Sequence, residues 1–329
     1  MLILSFESSC DETSCAVTRD GREVLSNEIL SQIDIFKNYG GVVPEISSRE
    51  HVKGISLIYK QALKDAGVTI DDIDYVAVTS GPGLIGSLLT GINAAKTVAL
   101  NENKPLVGVN HLSGHIYSAA IEHEIKFPAL AVVISGGHTE LIIMKEHYSF
   151  NKIGSTLDDA VGEVFDKVAR ILDIPYPGGP LLDKIGRDGK AIYDLPRPMK
   201  YSPDYNFSFS GLKSATSKFL ADMESRGEEY RKEDIARSFE EAIADVLLTK
   251  INKALKEYSV KEVIIGGGSA ANSIIRDTLI NGIKDIPVTF AERKYCGDNA
   301  AMIGISAYYK IKKGEIDDMS LSAQSRLDL

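Results

Sequence analysis

The sequence predicts an α/β protein built as two similar lobes facing one another across a cleft. Two apolar strand–turn–strand patterns about 127 residues apart carry this reading. After each come helical periodicity, a further strand running into a glycine turn, and another helix, so the order is repeated in both halves. At 329 residues the chain also exceeds the roughly 250–300 at which a single core stops growing.

The first hairpin runs from Leu2–Glu7 through the turn Ser8-Ser-Cys-Asp-Glu-Thr13 into Ser14–Thr18. The second runs from Ala129–Ile134 through Ser135-Gly-Gly-His-Thr139 into Glu140–Met144. The later strands are Tyr75–Thr79, leading to Ser80-Gly-Pro-Gly83, and Glu262–Ile265, leading to Gly266-Gly-Gly268. Helices follow at Leu84–Leu100 and from Ala270 to about Ile280. A long helix over 234–258 places Ile235, Phe239, Ile243, Val246, Leu247 and Ile251 on one face. The lobe boundary falls near Lys126, giving lobes of 1–126 and 127–303. A C-terminal helix from about 304 completes the first lobe. Residues 173–204 read as a long Pro- and Gly-rich loop, of a size that is usually functional. It opens a basic, aromatic insertion over 173–218.

With 44% apolar and 25% charged residues, the composition excludes a disordered or fibrous protein. No apolar run approaches the roughly 18 residues needed to cross a bilayer, so no membrane association is expected. The N-terminus reads as a strand rather than a signal peptide. Three cysteines are too few and odd in number for a disulfide framework, which favours a reducing cytoplasm. A net charge of −9 opposes tight binding to nucleic acid by this chain alone, because phosphate contacts dominate such affinity.

Several residues bear chemistry. Backbone amides in the turns 8–13, 80–83, 135–139 and 266–269 suit phosphate oxygens, and together suggest a nucleotide, although each alone is equally a tight turn. Asn272 is placed to touch a base or ribose, or merely to cap its helix. Gly81-Pro-Gly-Leu-Ile-Gly86 matches the dinucleotide fingerprint formally. The next strand, however, ends in Asn110 and His111 rather than a ribose-binding acid, so the glycines read as close packing. His111 and His115 share one helical face at i, i+4, the spacing for two ligands of one metal, or for two core imidazoles. No Glu follows His111, so this is not a metalloprotease helix. Asp298 is a candidate third ligand and Cys296 another, unless the latter is simply buried. Glu12 stands out among the turn acids, since a carboxylate near phosphate needs a cation, a hydroxyl or a proton to act on. Asp166 reads either as functional or as a surface acid paired with Arg170. Over 184–218, seven Lys or Arg stand against three Asp, with Tyr193, Tyr201, Tyr205, Phe207 and Phe209 interleaved. That mixture suits single-stranded or loop RNA, or a solvated loop.

These residues resemble the tRNA adenosine threonylcarbamoyltransferase family in its bacterial form, once described as O-sialoglycoprotein endopeptidases. The matching runs are Glu7-Ser-Ser-Cys-Asp-Glu-Thr13, Gly40-Gly-Val-Val-Pro-Glu45, Gly81-Pro-Gly-Leu-Ile-Gly86, Val109-Asn-His-Leu-Ser-Gly-His115, Ser135-Gly-Gly-His-Thr139, Tyr176-Pro-Gly-Gly-Pro180, Phe207-Ser-Phe-Ser-Gly-Leu-Lys213 and Cys296-Gly-Asp-Asn299. They span the chain in the family's order.

The resemblance implies two ribonuclease-H-like lobes of the actin, hexokinase and Hsp70 (ASKHA) type. It implies transfer of the threonylcarbamoyl group from threonylcarbamoyl-AMP to the exocyclic amine of the adenosine 3′ to the anticodon, in tRNAs reading A-starting codons. It puts one divalent metal, Fe(2+) or Zn(2+), on His111, His115 and Asp298. It puts adenylate contacts on Ile134, Ser135, Gly136, Gly137, His138, Asp166, Gly179, Asp183 and Asn272, where ATP, ADP or AMP would also fit. Glu12 falls where the family has an acid important for activity. The implied partners are tRNA, a non-catalytic paralogue of the same fold and a small ATPase. Gly297 departs from an expected Thr, and Ser269-Ala-Ala-Asn272 varies the usual form but keeps the Asn. Two rival classes remain, a small-molecule kinase and a non-catalytic scaffold. The first leaves the His pair idle, and the second has no use for the His, His, Asp set.

Overall fold

The computed structural model describes residues 1–329, which divide into two compact units. The first comprises Met1–Ile125 and Ala291–Leu329, and the second Lys126–Phe290.

In chain order the first unit contains β1 (Leu2–Glu7), β2 (Glu12–Arg19), β3 (Glu23–Ser31), α1 (Ile33–Phe36), α2 (Pro44–Ala66), β4 (Tyr75–Gly81), α3 (Ile85–Asn101), β5 (Leu106–Asn110) and α4 (His111–Tyr117). The second contains β6 (Ala129–Ile134), β7 (Thr139–Met144), β8 (Phe150–Ser155), α5 (Val161–Ile171), α6 (Gly178–Gly186), α7 (Ser210–Ser225), α8 (Lys232–Glu257), β9 (Glu262–Gly266), α9 (Ser273–Gly282) and β10 (Val288–Phe290). Helix α10 (Ala300–Lys312) belongs to the first unit.

The two sheets have one topology. The first runs β3-β2-β1-β4-β5 and the second β8-β7-β6-β9-β10. In each, the first three strands are antiparallel and the last two parallel. Strand β1 is covered on both faces, which explains why Ile3, Leu4 and Phe6 are apolar on both sides of the sheet. Leu4 and Phe6 pack with α2 and α3 residues such as Ile58, Leu88 and Ile92. Ile3 points the other way, to Met302, Ile303 and Ala307 of α10. Helix α2 starts with Pro44 in its first turn and ends on Gly67 at φ 66, the left-handed stop that glycine favours. The apolar face expected over 234–258 is wholly buried in α8.

Four features depart from the sequence reading. Strands β3 and β8, unanticipated, lie at sheet edges and alternate poorly because they are half-exposed. Residues 173–204 are not all loop, since α6 forms within them. Its glycines and Pro180 occupy the first turn, where a missing N–H costs nothing. A side chain at Gly178 would strike Ala169 of α5. Helix α9 starts at Ser273, with Asn272 as its cap, rather than at Ala270. Finally, the chain returns to the first unit at Ala291, not near 304. The return is anchored by polar contacts that hydropathy does not reveal. Ser14 Oγ accepts the Ala300 N–H at 2.8 Å, Asn27 Oδ1 accepts that of Ala301, and Ser5 Oγ donates to the Ala300 carbonyl. No helix is long and apolar enough to cross a membrane.

Candidate functional site

Strand β5 ends in Asn110, whose side chain accepts the N–H groups of Leu112 and Ser113 and so starts α4 at once. Its amide also donates to the carbonyls of Leu327 and Asp328. His111 therefore occupies the first helical position and His115 lies one turn on, with ring centroids 4.6 Å apart. Asp298 arrives from the loop before α10. Asn299 locks that loop by accepting from Met302 N–H and donating to the carbonyls of Tyr295 and Gly297.

The three side chains meet. Asp298 Oδ1 lies 3.5 Å from His111 Nε2 and 3.2 Å from His115 Nε2, and one ligand atom from each residue falls within 4.8 Å of the others. Atoms bound at about 2.1 Å to one ion stand roughly 3.0–3.5 Å apart, so the donor set fits a divalent metal. His115 adds a second sign. It is completely buried, yet its Nδ1 makes no hydrogen bond and its Nε2 faces only Asp298, which is rare for a buried polar group without an unseen partner.

Glu7, which the sequence reading passed over, completes the arrangement. At the end of β1 it is fully buried, with Oε2 3.1 Å from His111 Nδ1 and accepting from Thr79 Oγ1, while Oε1 accepts from Ser9 N–H. A carboxylate on the far nitrogen of a ligand imidazole fixes its tautomer and raises its basicity. Burial alone would push the His111 pKa down, but Asp298 and Glu7 outweigh it and raise it to about 9. Burial pushes Glu7 up, and His111 more than reverses this. His115 is lowered, chiefly by burial. The signal for Glu7 was an acid closing an otherwise apolar strand.

Glu12 opens β2, with Ser31 Oγ 3.4 Å from its Oε1. Burial first, then Asp11 and Asp298, raise its carboxyl well above the usual range. Cys296 is outside the cluster, its buried Sγ facing the carbonyls of Ala291 and Glu292. A Cβ at Gly297 would meet nothing within 4 Å, so packing does not demand the glycine.

The remaining expected residues lie in the second unit. Ile134 ends β6, and the turn after it is closed by Ser135 N–H to the His138 carbonyl and His138 N–H to Ser135 Oγ. Gly136 and Gly137 are exposed, and a Cβ on either would meet nothing. Asp166 Oδ1 accepts the Gly178 N–H at 2.7 Å, tying α5 to α6, with Gly179 next along. Asp183 accepts from Ser273 N–H and pairs with Arg187 at 2.6 Å. Asn272 is the cap of α9, Oδ1 accepting from Ile275 N–H, and its Nδ2 donates to Glu240 at 2.6 Å. Glu240 was also missed. It is fully buried, its Oε2 has no hydrogen-bond partner, and burial raises its pKa to about 8.

The basic, aromatic segment differs from expectation. Phe207 and Phe209 are buried and stacked on each other, and Tyr205 donates to Glu257. Arg197 and Lys200 both pair with Asp245. Among the five interleaved aromatics, Tyr201 projects most, at 84% exposed. Aromatic residues between charges here mark a core under a loop, not a row of stacking platforms.

Duplicated mixed sheets of this topology define the ASKHA class of two-lobed proteins. Solved structures share the fold. The chain matches component A of (R)-2-hydroxyglutaryl-CoA dehydratase from Acidaminococcus fermentans with a TM-score of 0.58 at 15% identity, covering 95% of this chain and 99% of that one. Full-length HypF in its phosphate- and nucleotide-bound form matches at 0.61 and 15%, covering 95% and 46%. The family model for TsaD, tRNA N6-adenosine threonylcarbamoyltransferase, matches residues 23–305. The enzymes of that name from Staphylococcus aureus (strain JH9) and Staphylococcus haemolyticus (strain JCSC1435) are each 48% identical over 100% of this chain and 97% and 96% of theirs. The chain belongs to the TsaD family.

Three outcomes follow from this geometry. Glu7→Gln will lower metal affinity about 10–100-fold, read by metal content after dialysis, and Asp298→Ala will abolish binding. Glu240 holds its proton more tightly folded than unfolded, so stability falls as pH rises from its ordinary 4.5 toward about 8. Glu240→Gln will flatten that dependence, measured as melting temperature against pH.

Proposed function

We propose that this chain transfers the threonylcarbamoyl group from threonylcarbamoyl-AMP to the exocyclic amine of the adenosine 3′ to the anticodon, in tRNAs reading A-starting codons. The observation that carries the mechanism is the buried convergence of His111, His115 and Asp298 in a chain of this family. A kinase or a scaffold of the same fold would have no use for that set.

The amine nitrogen attacks the carbamoyl carbon, the bond from that carbon to the phosphate oxygen breaks, AMP departs and the amine loses a proton. Held by His111, His115 and Asp298, a divalent ion, iron(II) or zinc(II), would supply Lewis-acid polarisation worth several kcal/mol. Glu7 orients His111 for that duty. The backbone of Ile134, Ser135, Gly136, Gly137 and His138 cradles the adenylate phosphate, where the two open glycines let an anion approach N–H groups closely. Asp166, Gly179, Asp183 and Asn272 shape the nucleoside side, and ATP, ADP or AMP would fit the same place. Glu12 accepts the amine proton, its raised pKa bringing a carboxylate toward the range that suits proton transfer.

The partners are tRNA, a non-catalytic paralogue of the same fold and a small ATPase, acting in the cytoplasm. The exposed apolar residues Val52 and Leu57 of α2 and Ile85 and Leu89 of α3 suit a protein partner.

Reconstitution with a synthase, threonine, bicarbonate, ATP, tRNA and partner proteins, read by mass spectrometry of the modified adenosine, tests the reaction. His111→Ala will abolish the product, and Glu12→Gln will slow transfer about 10²–10⁴-fold while donor binding persists. Full transfer by Glu12→Gln would remove that residue from the mechanism. The isolated chain will bind tRNA weakly and lose it as salt rises, because −9 leaves few phosphate contacts. Tight binding by the chain alone in a salt titration would contradict this.

A further inference from the structure

The turn between β1 and β2 carries Glu12, yet it is held in place by α2. His51, on that helix, is completely buried, and both its ring nitrogens are engaged. Nε2 lies 3.0 Å from the Cys10 carbonyl, which can only accept, so Nε2 carries the proton. Nδ1 is then the acceptor, taking the Thr13 hydroxyl at 2.7 Å. One neutral tautomer satisfies both contacts, and burial, which lowers the pKa of His51, favours that neutral form.

Ser47, one turn before His51, also donates to the Cys10 carbonyl and lies 3.1 Å from Ser87 of α3. Gln32 N–H donates to the Asp11 carbonyl at 3.0 Å, and its side-chain amide reaches the Ser47 carbonyl. Ser8 Oγ donates to the Ser87 carbonyl and accepts from Gly91 N–H. Glu7 holds Ser9 N–H. The turn is thus gripped at residues 8, 9, 10, 11 and 13, on both sides of Glu12, whose own carboxylate has Ser31 Oγ 3.4 Å away. Through Ser9 Oγ, 3.2 Å from His111 Nδ1, and through Glu7 the network also reaches His111, while its contacts at residues 10, 11 and 13 fall on the segment around Glu12.

We infer that His51 is a positioning residue, clamping Cys10 and Thr13 on either side of Glu12 so that this carboxylate is held where the amine proton departs. The inference rests on the acyl-transfer reading above. Contacts on both sides of Glu12, to the Cys10 carbonyl and to the Thr13 hydroxyl, leave it few alternative positions, and displacement of such a group by about 1 Å can cost on the order of 10²-fold in rate.

The full chain, with metal and partner proteins, is assayed for single-turnover transfer from threonylcarbamoyl-AMP to tRNA. His51→Leu is expected to lower the rate constant about 10–100-fold while donor affinity and metal content stay unchanged. His51→Gln keeps an N–H where Nε2 stood and recovers most of the rate. The double variant with Glu12→Gln is no slower than Glu12→Gln alone, because His51 acts through Glu12. Multiplicative losses in the double variant, an equal loss in His51→Gln and His51→Leu, or an unaffected His51→Leu each overturn the inference. Should His51→Leu not fold, Thr13→Val removes the hydroxyl donated to Nδ1 and is expected to lose rate in the same direction; an unchanged rate overturns it. Amide exchange supplies a readout independent of transfer. His51→Leu is expected to speed exchange at residues 10–13 and leave α3 unchanged, and unaltered exchange at the turn also sinks the clamp. Wild-type protein that transfers nothing, with the turn still loosened in His51→Leu, would instead overturn the acyl-transfer reading.

Discussion

Glu7 and Asp298 approach the two nitrogens of the His111 ring from opposite sides, within a site closed to water on most sides. Two carboxylates beside one imidazole leave an excess of negative charge that a buried site cannot tolerate without a cation. In the metal-free protein the proton on His111 serves that purpose, which is why its pKa stands near 9 despite burial. A divalent ion held by His111, His115 and Asp298 would offset the same charge more strongly. Much of the first unit is arranged to keep these groups together: β1 ends in Glu7, the cap Asn110 starts α4 at His111, and Asn299 holds the loop of Asp298.

Duplication of the sheet has been followed by divergence at equivalent turns. Between β1 and β2 the turn carries Asp11 and Glu12 and is gripped by side chains from α2 and α3. Between β6 and β7 it is Ser-Gly-Gly-His, with two glycines open to their surroundings. The same backbone location thus presents carboxylates in one unit and exposed N–H groups in the other.

Charge accounts for the segment that sequence composition made look most like a nucleic-acid surface. Three of its seven basic residues, Arg187, Arg197 and Lys200, pair within the second unit with Asp183 and Asp245, while Lys250, fully buried, donates to Ser202 and the Asp204 carbonyl to hold the loop down. Phe207 and Phe209 close the core beneath.

By itself the sequence determined the duplicated α/β plan, because each hairpin and glycine turn is a local signal repeated in order. It determined the helical spacing of His111 and His115, since i, i+4 is a property of the helix alone. Its motifs also pointed to Asp298 as the third member. What the tertiary structure decided were meetings between residues remote in the chain: Asp298 coming within 3.5 Å of the imidazoles, Glu7 standing behind His111, Glu240 behind Asn272, and His51 beneath the Cys10 carbonyl. Edge strands β3 and β8 and helix α6 were hidden for a related reason, as half-exposed strands lose their alternation and a helix can begin with Gly and Pro. Long-range polar contacts leave no periodic trace in a sequence, because hydropathy records which residues avoid water and not which partner a buried polar atom finds.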